Sequence, residues 1–556
     1  MTARTAAPVR GRVAVVPPHV PFVDQIAARW LEQAGHDPQA CGNGLILLPS
    51  RRAGRALTEA FVRQVDGRPI LLPRIAPIGA LDEASLVLSG QNALDLPPAV
   101  DPMRRLATLT LLVMQAGKAF GDVQGVDQAW PLARALAELM DEAEWAECDL
   151  CERLPHAAEG DFAQHWHQTL QFLSIVTSVW PAWLAEQGVM NPVARQTALL
   201  HAQAARWRDS PPPAGYPVWA AGFSDAVPST IVMLRAVLDQ PDGMLILPGV
   251  DMECDDAIWR HLPPDHPQAG TAHMLAQLGV ERAGMEIWSS LPHDCVASSP
   301  VSRASLLSRA LLPAHALERW RERDVPVEAD GLSILRSADQ QEEAAAIAMV
   351  LRQVLERPGR RAALVTPDRA LAGRVATELV RWGVVADDSA GESMLTVPQT
   401  AFLRLIVQAV DGGLSPVALL SAIKHPLAAC GLSPGTCRAS ARQLERLVLR
   451  GPAPPPGIAG LRSALQRATE DPHGALADAP DAPEEISAFI NRLETVFGPL
   501  LALPRDTMVP VSVLLAALVE TAQALAATAT VDGADRLWAG EEGNALGQPM
   551  SALLAW

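Results

Sequence analysis

The chain has 556 residues, 49% of them hydrophobic, and a formal net charge of −17 from 62 acidic and 45 basic side chains. That is enough chain for roughly three to five domains with sizeable cores. The acidic balance argues against a stand-alone nucleic-acid binder, whose affinity comes largely from neutralised phosphates, unless a local basic stripe or a partner subunit supplies the charge.

At the N-terminus the only apolar run before Pro17-Pro18 is Val13-Ala14-Val15-Val16, too short for the core of a secretory leader. The longest apolar runs, such as 509–519, stop at charged residues and fall short of a membrane span. Seven scattered cysteines suit a reducing compartment, so a cytoplasmic protein without membrane contact is expected.

Residues 12–33, RVAVVPPHVPFVDQIAARWLEQ, predict a strand, a turn and an amphipathic helix. In a P-loop protein that turn carries glycines, a lysine and a hydroxyl, which together cradle phosphate and Mg²⁺. Here Pro17, Pro18, His19 and Pro21 occupy it, and proline offers no N–H. The only lysines, Lys118 and Lys424, lie in contexts without the glycines of such a loop.

GLILLPS (44–50) predicts a second strand, followed by the helical pattern of RRAGRALTEAFVRQV. Residues 95–210 predict a helical block; Phe162, Trp166, Leu170, Leu173, Val176, Trp180 and Trp183 follow one helix face, with Pro181 kinking or restarting it. YPVWAAGF (216–223) and GMLILPGV (243–250) return to strands, so the helical block reads as an insertion into an α/β domain. Residues 332–391 predict a second unit of strand, helix, strand, helix, strand and turn. Further helices and linker-like stretches at 451–460 and 470–485 follow, and the apolar close GEEGNALGQPMSALLAW suggests a fragment or a truncated reading frame.

Several local features have plain structural readings. Asp387-Asp388-Ser389-Ala390-Gly391 is a turn rather than a metal site. Cys148-Asp149-Leu150-Cys151, with His156, His165 and His167 downstream, is only half of a zinc pattern. Trp166, Trp180, Trp183 and Trp382 are expected in cores, and 309–324 as a solvated mixed-charge helix. No nucleophile–base pair or glycine-rich fingerprint marks a small-molecule enzyme.

Taken together, LLPSRRAGRALTEAF (47–61), LLPRIAPIGALDE (71–83), HWHQTLQFLSIVTSVWPAWLAEQG (165–188), WAAGFSDAVPST (219–230), HPQAGTAHMLAQLGV (266–280), AALVTPDRALAGRVATELVRWGVVADDSAG (362–391) and SPVALLSAIKHPLA (415–428) resemble the alphaproteobacterial type of AddB. AddB is a subunit of the AddAB helicase–nuclease of double-strand DNA break repair. The resemblance runs to about residue 460 and rests on an ordered set of blocks, not on a catalytic motif.

The resemblance implies an α/β fold of two RecA-like parallel-sheet domains of degenerate superfamily-1 helicase type with large helical insertions. Residues 1–94 plus 211–325 would be domain 1A, 95–210 its insertion 1B, 326–450 domain 2A, and 451–556 the truncated start of 2B. The strand ending Ala221-Gly222-Phe223 would stand in the Walker B place without its acidic pair; Asp225 nearby reads as a turn or cap residue.

The resemblance also implies an AddA-type partner that holds ATP and Mg²⁺, contact with single- and double-stranded DNA, and a divalent-metal nuclease site beyond the residues present. No catalytic, cofactor or metal residue is assigned in this chain. Ser50, Arg51, Arg52 and Arg55 fall where such helicases grip single-stranded DNA, with Thr366 and Arg369 at the equivalent edge of the second unit. The alternatives are a scaffold that holds AddA without touching DNA and, further off, an ATPase with an unusual nucleotide site.

Overall fold

The computed structural model describes residues 11–35, 37–65, 68–78, 96–120, 125–154, 172–224, 227–288, 300–321, 331–391, 393–471, 476, 481–504, 507 and 509–554. The chain divides into two units, Met1–Ile334 and Leu335–Trp556.

The first unit is built on one sheet of β1 (Arg12–Val16), β2 (Leu45–Leu48), β3 (Arg74–Pro77), β4 (Val218–Ala221), β5 (Gly243–Pro248) and β6 (Glu286–Ile287). Its order is β3-β2-β4-β5-β1-β6, with every pairing parallel. The runs Leu45–Leu48 and Val218–Ala221 are buried throughout, because parallel strands are covered on both faces and carry no polar alternation.

Successive side chains still part to opposite faces. Val13, Val15, Leu45, Leu47, Val218 and Ala220 enter one core. Ala14, Val16, Ile46, Leu48, Trp219 and Ala221 enter the other, under α1 (Phe22–Gln33) and α2 (Arg51–Gln64). The first core is closed by α3 (Pro192–Asp209) and α4 (Pro228–Leu238), through Leu200, Ala204, Met233 and Leu234. Helices on both faces of a parallel sheet make this unit α/β.

Between β3 and β4 the helices Pro102–Phe120 and Val126–Trp145 form their own apolar core, with Leu109, Val113, Leu136, Met140 and Trp180 at its centre. No fresh helix start appears at Pro181: a π-helical turn, Ile175–Val179, runs directly into Trp180–Gln187, with Val179 in helical dihedrals. The Trp180 N–H reaches back to the Ile175 carbonyl, and this wider turn stands immediately before the proline that lacks an N–H.

In the second unit, α5 (Gln340–Leu355) and α6 (Arg369–Val380) pack through Ala344, Ala348, Val375 and Leu379. The second sheet expected from 332–391 does not form among the described residues, and this corrects that part of the sequence reading. Segments 361–366 and 384–388 join no ladder. Leu364 and Val384 rest half-buried on the α5–α6 core, but Val365 and Val385 are 93% and 91% exposed. A parallel strand needs hydrogen-bonded neighbours and cover on both faces; the described residues provide cover on one.

A separate all-helical core then runs from Phe402 to Leu546 and includes α7 (Pro398–Asp411), α8 (Pro434–Leu444) and α9 (Val511–Ala526). No helix among the described residues is long and apolar enough to cross a membrane.

His425 lies half-buried beside this core, its ring stacked on Phe402 at 4.9 Å. Burial lowers its pKa below the ordinary 6.5. As pH falls through 6.5, the unfolded chain binds a proton that the folded imidazole resists, so stability is lost with acidification. Urea denaturation of the second unit is expected to show its midpoint falling between about pH 7 and pH 5.5, and His425→Asn to remove that part of the slope. An unchanged slope in the variant would refute the assignment.

Candidate functional site

Loops after β1, β2, β4 and β5 gather at the carboxyl edge of the first unit's sheet, the side on which open parallel sheets bind ligands. After β1, the Val20 N–H donates to the Pro17 carbonyl at 3.0 Å. Pro21 then enters α1 with φ −62° and no side-chain cap. Pro17, Pro18 and Pro21 offer no amides to an anion. The first turn of α1 already carries Asp24, held by Arg63 of α2 at 2.7 Å. That carboxylate answers the positive end of the helix and repels a phosphate from the same place.

Beside this loop lies a cavity of about 370 Å³. Its walls are mainly Val15, Pro17, Pro18, Val250, Ile287 and Leu307, with the carboxylates Asp251 and Glu253 among the polar groups. No lysine or arginine among the described residues lines it, so it lacks the cations that hold a nucleotide's phosphates. After β4 the chain turns through Gly222 at φ +82°, a left-handed conformation that favours glycine; Asp225 lies outside the described residues.

The β5 loop is held by Arg282, a residue the sequence reading passed over. Its guanidinium is buried and donates to the carbonyls of Asp251 at 2.6 Å and Cys254 at 2.7 Å. It also pairs with the Asp256 carboxylate and lies 4.5 Å over the Trp259 ring. The acid-rich DMECDD at 251–256 is the one local signal that an arginine would be needed.

After β2, Ser50 caps α2, its Oγ accepting from the Ala53 N–H at 3.2 Å. The helix buries Leu57, Ala60 and Phe61 against the sheet and turns Arg51, Arg52 and Arg55 to solvent. Its first turn holds no acidic residue. Arg51 and Arg55 form no ion pair with described residues. Free helix N–H groups and unpaired guanidinium groups on one turn make an anion-binding arrangement.

In the second unit the Thr366 hydroxyl accepts from the Asp368 N–H at 3.0 Å. Asp368 caps α6 through the amides of Ala370 and Leu371. Arg369 forks onto Asp388 at 3.0 and 2.7 Å and donates to the Gly391 carbonyl at 3.2 Å. The hydrogen bonds that Arg369 donates to Asp388, then the charge of that carboxylate, raise the Arg369 pKa. The expected turn at 387–391 is present, with Gly391 at φ +66° and the Ala390 amide donating to Asp388 at 2.9 Å. Its carboxylate occupies the Arg369 fork, in contrast to Arg51 and Arg55.

Asp149 of the Cys148–Cys151 stretch caps a short helix, and the Cys151 thiol donates to the Thr177 carbonyl at 3.2 Å; His156, His165 and His167 lie outside the described residues. Trp180 is buried and stacks on Trp183 at 4.9 Å, and Trp166 lies outside the described residues. Trp382 corrects the expectation of core packing: it is 53% exposed at the end of α6, beyond the reach of the small α5–α6 core. In the 309–324 stretch Arg319 pairs with Asp255 at 2.9 Å. Lys424 pairs with Glu445.

The chain matches no protein-family model and no curated protein sequence.

Proposed function

We propose that this chain is the inactivated helicase portion of an AddB-type subunit, which binds and guides a strand of DNA within a double-strand break repair complex. The observation that carries the reading is the N-terminus of α2: a Ser50 cap, exposed arginines and no acidic neighbour in the first turn, at the ligand-binding edge of a parallel sheet. The sheet order supports it further. β5 separates β1 from β4, the relation that RecA-like sheets keep between their two nucleotide-binding strands. At the first of these positions prolines and the Asp24 carboxylate replace the phosphate-binding groups.

On this reading ATP and Mg²⁺ belong to an AddA-type partner, and divalent-metal nuclease chemistry to a domain outside these residues. A scaffold for that partner, without DNA contact, is the second reading, favoured by the net charge of −17.

Single-stranded DNA binding across a salt series separates the two. For a single strand, log affinity falls with log salt by about 0.7 per phosphate neutralised. Reversal of three contacting arginines in Arg51→Glu/Arg52→Glu/Arg55→Glu is therefore expected to lower affinity by at least about tenfold and to reduce the salt slope by about 2. Equal affinity and slope in variant and parent, alone and with the partner, would sink the DNA reading and leave the scaffold.

A further inference from the structure

A close pair of reactive side chains lies in the helical core of the second unit. Cys430 and Cys437 are both buried and both free thiols, and their Sγ atoms stand 3.7 Å apart. The Cys437 Sγ also lies 3.8 Å from the Ile423 carbonyl. We propose that Cys430 and Cys437 are a modification site, an oxidisable dithiol that takes a hydroperoxide as co-reactant and closes to a disulfide.

The two sulfurs differ in setting. Cys437 sits on α8, near the N-terminal end of its dipole and next to Arg438. Placement near a helix N-terminus and beside a cation favours the thiolate. The hydrogen bond with Cys430 is the main influence holding the Cys437 pKa below the ordinary thiol value, and Arg438 adds to it. The same hydrogen bond, with burial, pushes Cys430 well up. Cys437 is therefore the nucleophile and Cys430 the thiol that resolves.

A small oxidant reaches this buried pair only when the turn that carries Cys430 opens. Cys430 and Gly431 follow one another at φ +51° and +74°, and the left-handed region is unfavourable for a non-glycine residue. Hydrogen bonds from Ala429 and Cys430 to the Leu525 carbonyl, and from Gly431 to that of Ala527, tie this turn to the end of α9.

The chemistry balances. The Cys437 thiolate attacks one oxygen of hydrogen peroxide, the O–O bond breaks, and the leaving hydroxide takes up the proton that Cys437 released, giving water and a sulfenic acid. The Cys430 thiol then attacks the sulfenic sulfur. An S–S bond forms, the S–O bond breaks, and the hydroxyl leaves as water with the Cys430 proton. Two thiols lose two electrons and one peroxide becomes two waters.

The test uses the whole chain. Graded hydrogen peroxide is followed by catalase, unfolding, alkylation and trypsin digestion. One tryptic peptide, His425–Arg438, carries both cysteines. It is expected to lose two hydrogens, to refuse alkylation, and to regain both alkylation sites after dithiothreitol. Its oxidation should run at least tenfold faster than that of exposed Cys151, which acts as an internal reference. Amide exchange at residues 429–431 should slow in the oxidised protein.

In Cys430→Ser the resolving thiol is gone, and dimedone should trap a sulfenic acid on Cys437. The proposal is overturned if both cysteines stay alkylatable at doses that oxidise Cys151, or if the bond forms only after unfolding. Dimedone labelling of Cys430 in Cys437→Ser, at the parental rate, would overturn the assignment of the nucleophile.

Discussion

Trp219→Ala is expected to destabilise the first unit by about 3–5 kcal/mol, the range for removing a large buried aromatic side chain. Trp219 stands in the middle of β4, 1% exposed. Its ring meets Trp30 of α1 edge-on at 4.8 Å and leans on Trp288 at 5.9 Å. Trp30 is itself fixed by its indole N–H, which donates to the Cys41 carbonyl at 2.9 Å. Truncation therefore leaves a cavity whose walls are tied to α1 and, through Trp30, to the segment before β2, and such walls collapse poorly. Urea denaturation read by amide exchange on β4 and β5 peptides isolates this unit. A loss below about 1 kcal/mol would contradict the packing account, and Trp219→Phe should cost less than Trp219→Ala.

Arg282→Met is expected to cost about 2 kcal/mol, since it strands two half-buried carbonyls that a charged donor satisfied. The thioether fills most of the stem's volume but donates to neither the Asp251 nor the Cys254 carbonyl, and it leaves Asp256 unpaired. Arg282→Lys should recover only part of the loss, because one ammonium cannot reproduce the planar fork or its stacking on Trp259. The local consequence is in the β5 loop, which lines the apolar cavity; its amides should exchange faster in both variants. Parental exchange in Arg282→Met would show that the loop holds itself.

The strands β1, β2, β4 and β5 were legible because parallel strands buried on both faces concentrate apolar residues into short runs. β6 was not: Glu286 and Ile287 are exposed, and only the β1 backbone makes them a strand. The run at 362–366 shows the opposite limit. Apolar character marks a segment that could be a strand, but a ladder also needs a neighbour, and no run of residues encodes its neighbour locally. The same reasoning covers Arg282, whose partners lie 26 to 31 residues away and include two backbone carbonyls that carry no sequence signal. At the candidate site, the Ser50 cap and the arginines after it were readable from the strand-to-helix pattern. The Arg369–Asp388 fork was not, since residue types give charges but not which charges meet.

The placement of β1 also sets the order of events as the chain leaves the ribosome. Its two partners are β5 and β6, and Arg12 faces Met244. At about 5–20 residues per second, β1 waits on the order of 10–50 s for its first partner. Both its edges stay unpaired meanwhile, while the whole helical insertion between β3 and β4 has emerged and can condense. An interior strand, one place in from the β6 edge, is thus the first of the described strands made and among the last to be used, and the long sequence separation of its contacts makes closure of the sheet the slow step in folding this unit.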